Sequence, residues 1–452
     1  MKFEAALAEA THRATHGATA RLFAIGGEVD LDPFTQLSDE RELFFWNSDE
    51  GMGALGSPMV AFGCAALLKA EGADAIATVR QSACELFADL EVVGSAAPRL
   101  LGGLSFAPGR LGVFHHFGDA RFVLPRWSFV RSGNSVRAEL VVSRTELEIP
   151  RLLQAEAHAV FANQLQANRV TSPLCLEASG APEYCAAARA ALEQIAQGAL
   201  EKVVVVRAAR ASGQVSVAAT LRRLSAETAA AHFAISAGTH TFVGASPELL
   251  VAFDGQALRS EAVAGTLPRR GNDAQEIDAL LASDKDEREH RYVVRAIETA
   301  LANAGARIVS QAERHVRTLR HVHHLATPIV ASAPDSHVLD WVDALHPTPA
   351  VCGVPRREAL SFLLANERFD RGWFAAPVGW FDAQGRGQFA VALRSALLVP
   401  GGAHLFAGAG LVRGSEVEFE LAETEAKLAS MRGTLGVVPD PAPAPLHLDG
   451  VA

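Results

Sequence analysis

The stretch Leu405-Phe406-Ala407-Gly408-Ala409-Gly410-Leu411-Val412, followed by Glu416 to Met431 with Glu420, Glu423 and Lys427, sets the reading of this chain. Its first half is an apolar strand that runs into Gly-Ala-Gly, and a glycine turn there leaves backbone N–H groups available to an anion. Read as a helix, the second half places Glu420, Glu423 and Lys427 at i, i+3 and i+7, on one face within two turns. Two carboxylates and an ammonium beside an anion-binding turn form the pattern of a metal site built next to a carboxylate ligand. The same run also fits a solvated charged face. A strand, a glycine turn and a long helix in succession speak for a mixed fold.

Working outward, Asp284-Lys285-Asp286-Glu287-Arg288-Glu289-His290 opens a segment with apolar residues at Val293, Val294, Ile297 and Leu301. That is helix spacing with a charged first turn, and it puts Glu289 one turn after Lys285. Mg2+ keeps waters and takes few carboxylates, so one carboxylate from each of two helices is the usual protein share of its site. Tyr184 to Leu200 reads as an alanine-rich helix leading into the strand Val203 to Val206. Arg21 to Ile25, Arg137 to Val142 and the apolar run Met59 to Leu68 read as strand-like pieces between glycine and proline turns. Strands and hairpins mixed with long helices predict an α+β fold with large antiparallel sheets flanked by helices. The expected organisation is residues 1–180 as the N-terminal part of one intertwined fold, 181–435 as the catalytic region and 436–452 as a disordered Pro/Ala-rich tail.

The chain has 452 residues, 49% of them hydrophobic and 20% charged, with a net charge of −10. The negative balance argues against a nucleic-acid partner. No signal-type apolar core follows Met1-Lys2-Phe3-Glu4 and no run reaches membrane-spanning length, so a cytoplasmic location and no membrane partner are expected. Five cysteines without paired spacing fit reduced thiols. The histidines His315, His321, His323 and His324 lack the cysteine or carboxylate companions of a zinc motif. Gly408 to Gly414 has three residues instead of two before its last glycine and no βαβ surroundings, which excludes a dinucleotide fingerprint.

From about residue 197 to 432 the chain resembles the chorismate-binding enzymes, the family of isochorismate synthases, salicylate synthases, anthranilate synthase large subunits and aminodeoxychorismate synthases. The matching segments run in order: Glu201 to Arg207, Gly244 to Leu250, Ala264-Gly265-Thr266, Glu289-His290, His324 to Pro328, His346 to Gly353, Arg371 to Phe374, Pro377 to Trp380, Val391 to Arg394, the Gly-Ala-Gly segment, and Glu423 to Lys427. The resemblance implies the anthranilate synthase component I-like fold and chorismate as substrate. It is strongest for isochorismate synthases of the menaquinone or siderophore type, which add water at C2 and expel the C4 hydroxyl.

By resemblance, Lys202 is the general base, Glu248 the general acid and His324 a group close to the ring. Gly265, Thr266, Arg394, Gly408, Ala409, Gly410 and Lys427 would hold the substrate, while Glu289 and Glu423, with Glu420 through water, would hold Mg2+. Relatives that use ammonia generally lack the lysine, so Lys202 favours water as nucleophile and no obligatory glutaminase subunit is expected. Salicylate synthases, which add pyruvate elimination, keep it; an ammonia-dependent lyase and a non-catalytic binding protein are the remaining alternatives. An ordinary lysine, at about 10.4, stays protonated at neutral pH, so a base there requires burial or a nearby cation. Beside a buried strand Lys202 meets the first condition; as a helix-closing surface residue it would not. Glu248, to donate, has to stay protonated above its ordinary range, which the apolar neighbours Phe242, Leu249 and Leu250 favour; after Pro247 it could equally face water. Ala375-Ala376, Leu267 and Val205-Val206 depart from the family pattern, and the first two bear on pocket shape.

Overall fold

The computed structural model describes residues 1–39, 41–48, 58–162, 174–225, 230–318 and 322–438. Its organising pair is the lysine strand Lys202–Ser212 and the glycine strand Gly402–Val412, antiparallel from Lys202 opposite Val412 to Ser212 opposite Gly402. The run Val203 to Val206 is buried throughout, as a strand covered on both faces must be.

The expected glycine turn is a correction. Gly408, Ala409 and Gly410 lie inside the strand, opposite Val206, Val205 and Val204. Their amides nevertheless divide in a useful way. Val204 donates its N–H to the Cys352 carbonyl (2.8 Å) and Val206 donates to Glu367 Oε1 (2.9 Å), so both turn away from the glycine strand. In an antiparallel ladder their partners Gly410 and Gly408 must then aim N–H and C=O at the opposite side. There the neighbouring strand, Ser395–Val399, ends with Ala396 opposite Leu405. A strand continuing past its neighbour therefore offers the two glycine amides to open space, whereas Ala409 is tied to Val205.

Two sheets are built around this pair. Among the described residues the first has 14 strands and the second 10, and nearly all neighbours are antiparallel. Residues 22–143 supply strands to both: Leu43–Ser48 pairs with Ala231–Ala237 in the first, and Arg99–Leu104 pairs with Pro377–Asp382 in the second. The run Met59 to Leu68 splits at Gly63 (φ +69°), a backbone region open to glycine. Met59–Phe62 joins the first sheet and Ala66–Ala70 the second.

Between the sheets the largest apolar cluster closes on aromatic rings. Phe114 meets Phe242 edge-on at 4.9 Å, and Phe117 meets Trp373 at 5.0 Å. Each fully buried ring stabilises the layer by roughly 2–3 kcal/mol through area removed from water.

The acidic segment forms the helix Asp284–Asn303, capped by Ser283 Oγ, which accepts the Asp286 N–H. His290, Val293, Val294, Ile297 and Leu301 make its buried stripe. The last helix is Val417–Leu435, ended by Gly436 in the left-handed conformation (φ +69°). Val437–Val438 then adds a short parallel strand beside Leu174–Ala178, so the expected tail begins with structure. Residues 439–452 and His321 lie outside the described residues. Among the described residues no helix is long and apolar enough to cross a membrane.

Candidate active site

Lys202 opens its strand and is fully buried, with Nζ 2.9 Å from Glu289 Oε1 on the acidic helix. The lysine strand and the acidic helix therefore meet at one place. A Cβ on Gly410 would stand 2.3 Å from Glu289 Oε1 and 3.2 Å from Lys202 Cε, so the missing side chain is what admits the pair. Across the same space Lys427 Nζ contacts Glu423 Oε1 (2.6 Å) and donates to the Gly408 carbonyl (2.8 Å). A third pair joins Lys285 Nζ to Glu420 Oε1 (2.6 Å), with Glu420 buried.

Glu248 sits between the strands His240–Ser246 and Leu249–Phe253, 4% exposed. Its loop is fixed from several directions. Glu248 N–H donates to Ser246 Oγ (3.2 Å), Val391 N–H donates to the Glu248 carbonyl (3.1 Å), and Arg317 donates to the Pro247 carbonyl (2.6 Å). Burial pushes the Glu248 carboxyl up to about 8, against the opposing charges of Lys202, Lys427 and Arg317. It is thus held protonated at neutral pH, the condition for a general acid.

His324 accepts from Arg394 at Nε2 (3.2 Å), so its proton is on Nδ1, which faces Thr266 Oγ1 (3.0 Å). Burial and the charges of Arg394 and Lys427 hold this imidazole well below its ordinary value, hence neutral. The expected Ala-Gly-Thr turn is instead a bulge within the strand Ala257–Pro268, where Gly265 takes φ +80° and the pairing shifts between Ala264 and Thr266. Gly265 therefore orients Thr266 and His324 instead of facing the cavity.

One cavity is lined by Glu248, Thr266, Glu289, His324, Arg394, Gly408, Gly410, Glu423 and Lys427. Lys202 is outside the lining and touches the cavity wall through Glu289. Gly265, Ala409 and Glu420 are outside the lining. Sequence reasoning gave no role to other lining residues, among them Val351, Phe374, Leu393, Phe406 and Arg371. All five fall in the quoted segments, so the signal was present without a geometry to use it. Arg371 is 3% exposed, and it clamps Glu367 while donating to the carbonyls of Val351 (2.7 Å) and Val204 (2.6 Å). Ala375 lines the cavity at φ +60° and Arg394 holds φ +46°, backbone strain of about 1–3 kcal/mol each, concentrated at the site.

Glu289, Glu420 and Glu423 do not converge to bring one oxygen each within 4.8 Å of one another; each is neutralised by its own lysine. Their donor set is nevertheless that of a hard cation. Burial and the neighbouring Glu423 charge raise the Glu420 carboxyl, a crowding of negative charge that a cation relieves. The residues present fit Mg2+.

A buried acid, a lysine, an arginine and outward amides in one cleft between two sheets, with the buried Lys202 against the cleft's Glu289, define an α+β enzyme that performs acid–base chemistry on a small anion. The comparisons give that class its family: the chorismate binding enzyme model matches residues 8–436, and the chain belongs to this family. It is 36% identical over 438 residues to the salicylate biosynthesis isochorismate synthase of Pseudomonas aeruginosa, covering 92% of this chain and 90% of that one. To the isochorismate synthase MenF of Bacillus subtilis it is 32% identical over 384 residues, covering 79% of each. The menaquinone-specific isochorismate synthase of Escherichia coli superposes with a TM-score of 0.76 at 26% identity, over 96% of this chain and 99% of that one.

Proposed function

We infer that this protein is an isochorismate synthase. The observation that carries the reading is Glu248, kept protonated by burial at about 8, in the same site as the fully buried Lys202. A carboxyl that keeps its proton and an amine on the same side of the fold supply the two proton-transfer groups that an acid–base isomerisation requires. The names of the relatives point to the same reaction.

Lys202 takes a proton from water, whose oxygen attacks C2 of chorismate. The ring double bonds shift, the C4 hydroxyl departs with its bonding electrons, and Glu248 supplies the proton that makes it water. One water enters and one leaves, so the product is an isomer. Arg394 presents its guanidinium to one substrate carboxylate, and the outward amides of Gly408 and Gly410 add donors without a charge to desolvate. Neutral His324, oriented by Thr266, faces the ring as a polar group that does not compete for the proton of Glu248.

Glu289 and Glu423 would hold Mg2+, with Glu420 behind them. A cation held there would supply positive charge beside the ring carboxylate and offset the charge of Glu289. The cavity, with about 70 Å³ open to water-sized molecules, is lined by the ion-paired Glu289, Glu423 and Lys427, so substrate enters as these side chains rearrange. Water as nucleophile calls for no glutaminase partner.

The test is a chromatographic product assay on the purified protein with chorismate and Mg2+, with and without ammonium and with an EDTA control. Isochorismate without ammonium is the expected product, and Lys202→Ala is expected to abolish it while chorismate still binds. Salicylate with pyruvate, an ammonium-dependent product, or unchanged turnover in Lys202→Ala would each overturn the reading.

A further inference from the structure

The acidic helix has a second face that the reaction does not use. Tyr292, Arg295, Ala296, Thr299, Ala300 and Asn303 follow one another at i, i+3, i+4, i+7, i+8 and i+11, a single helical face. They look into a separate cavity of about 640 Å³, within the size range of small-molecule sites. Its opposite wall is the segment Ala344 to Val354 with Arg356.

The lining combines apolar side chains with two arginines and contains no aspartate or glutamate, in a chain of net charge −10. Arg356 donates once from Nη1 to the Ala344 carbonyl and once from Nη2 to the His346 carbonyl, which leaves further N–H donors, and it has no carboxylate partner among the described residues. Asp343 acts on it from outside the lining. Arg295 is exposed at the rim. Glu201 accepts from the Tyr292 hydroxyl at another border of the space.

Both walls are shared with the reaction cavity. Tyr292 follows Glu289 by one helical turn. In the loop, Pro347, Thr348 and Pro349 face this space, while Ala350 and Val351 face the reaction cavity. A ligand wedged between helix and loop would bias the position of Glu289 and of the Ala350–Val351 wall together, the physical requirement for coupling two sites.

We propose that the cavity between the helix face Tyr292–Asn303 and the loop Ala344–Val354 binds a small monocarboxylate with an aromatic or apolar body and thereby regulates turnover in the adjoining site. The apolar walls take the body, and Arg295 and Arg356 take the carboxylate.

The experiment is calorimetric titration of the full chain with benzoate and with 2-naphthoate as probes, in the presence and absence of saturating chorismate. Binding in the range of about 10 μM to 1 mM is expected, not displaced by chorismate. Arg295→Glu, at an exposed position, and Ala300→Trp, which fills the space, are each expected to weaken it at least about tenfold. Arg295→Glu should keep kcat and KM for chorismate within about twofold without probe, and the probe should change kcat of the parent without raising KM. Absence of binding at about 10 mM, equal binding in both variants, or displacement by chorismate would each overturn the site. The effect on turnover rests on the isochorismate synthase reading; the calorimetry does not, so the two fail separately.

Discussion

Replacing Glu248 by Gln tests both the burial argument and the assignment of the acid. Glu248 has a folded value of about 8 against an ordinary 4.5, and the largest cause is desolvation. That difference is worth on the order of 5 kcal/mol at about 1.4 kcal/mol per pH unit. The sign follows from proton linkage. Between 4.5 and about 8 the folded chain keeps a proton that the unfolded chain has released, so this group's contribution is fully present below 4.5 and is lost as pH rises through about 8. Glu261, also raised by burial, opposes ionisation of Glu248, whereas Lys202, Lys427 and Arg317 favour it.

The amide of the Glu248→Gln variant has no such proton to lose, and the other groups are common to both proteins. Urea unfolding of the two across pH should therefore show the parent's advantage over the variant shrinking by several kcal/mol from about pH 5 to about pH 8, then levelling. In the same range kcat of the parent should hold, then fall about tenfold per unit above pH 8 as the acid is lost. Two stability curves that stay parallel, or full activity in Glu248→Gln, would refute the reasoning.

Gly410→Ala puts a methyl group against Glu289 Oε1 and Lys202 Cε. It should lower kcat/KM about 100-fold while shifting Tm by no more than about 3 °C, and undiminished turnover would detach the glycine from the lysine–glutamate pair. Glu289→Gln should raise the Mg2+ concentration for half-maximal activity about tenfold, whereas an unaltered metal dependence removes Glu289 from the ligand set. Arg371→Met leaves the buried Glu367 carboxylate without its cation and should cost about 3–5 kcal/mol in urea unfolding. A cost under about 1 kcal/mol would show that Val204 and Val351 do not depend on the clamp.

The α+β class, the strand Val203 to Val206 and the helices carrying Glu289 and Glu423 follow from side-chain pattern alone, because hydrophobic periodicity is a local property of the chain. The ordered motifs carried the family, and the comparisons agree with it. The sequence misread Gly408-Ala409-Gly410 as a turn because glycine permits a turn and equally permits close approach by another side chain. Only the register against Lys202–Ser212 shows that Gly408 and Gly410 face open space, that Ala409 does not, and that the gap at Gly410 belongs to Glu289.

The same holds for Gly265, whose left-handed conformation serves a bulge. Arg371 was quoted in a motif and given no task, since its partners Val204, Val351 and Glu367 are remote or unremarkable in sequence. Residue types and spacing thus determined which groups this protein has for acid–base and anion chemistry. Tertiary structure decided which of them are buried together, because desolvation and ion pairing depend on neighbours that the chain brings from as far apart as Lys202, Glu289 and Lys427.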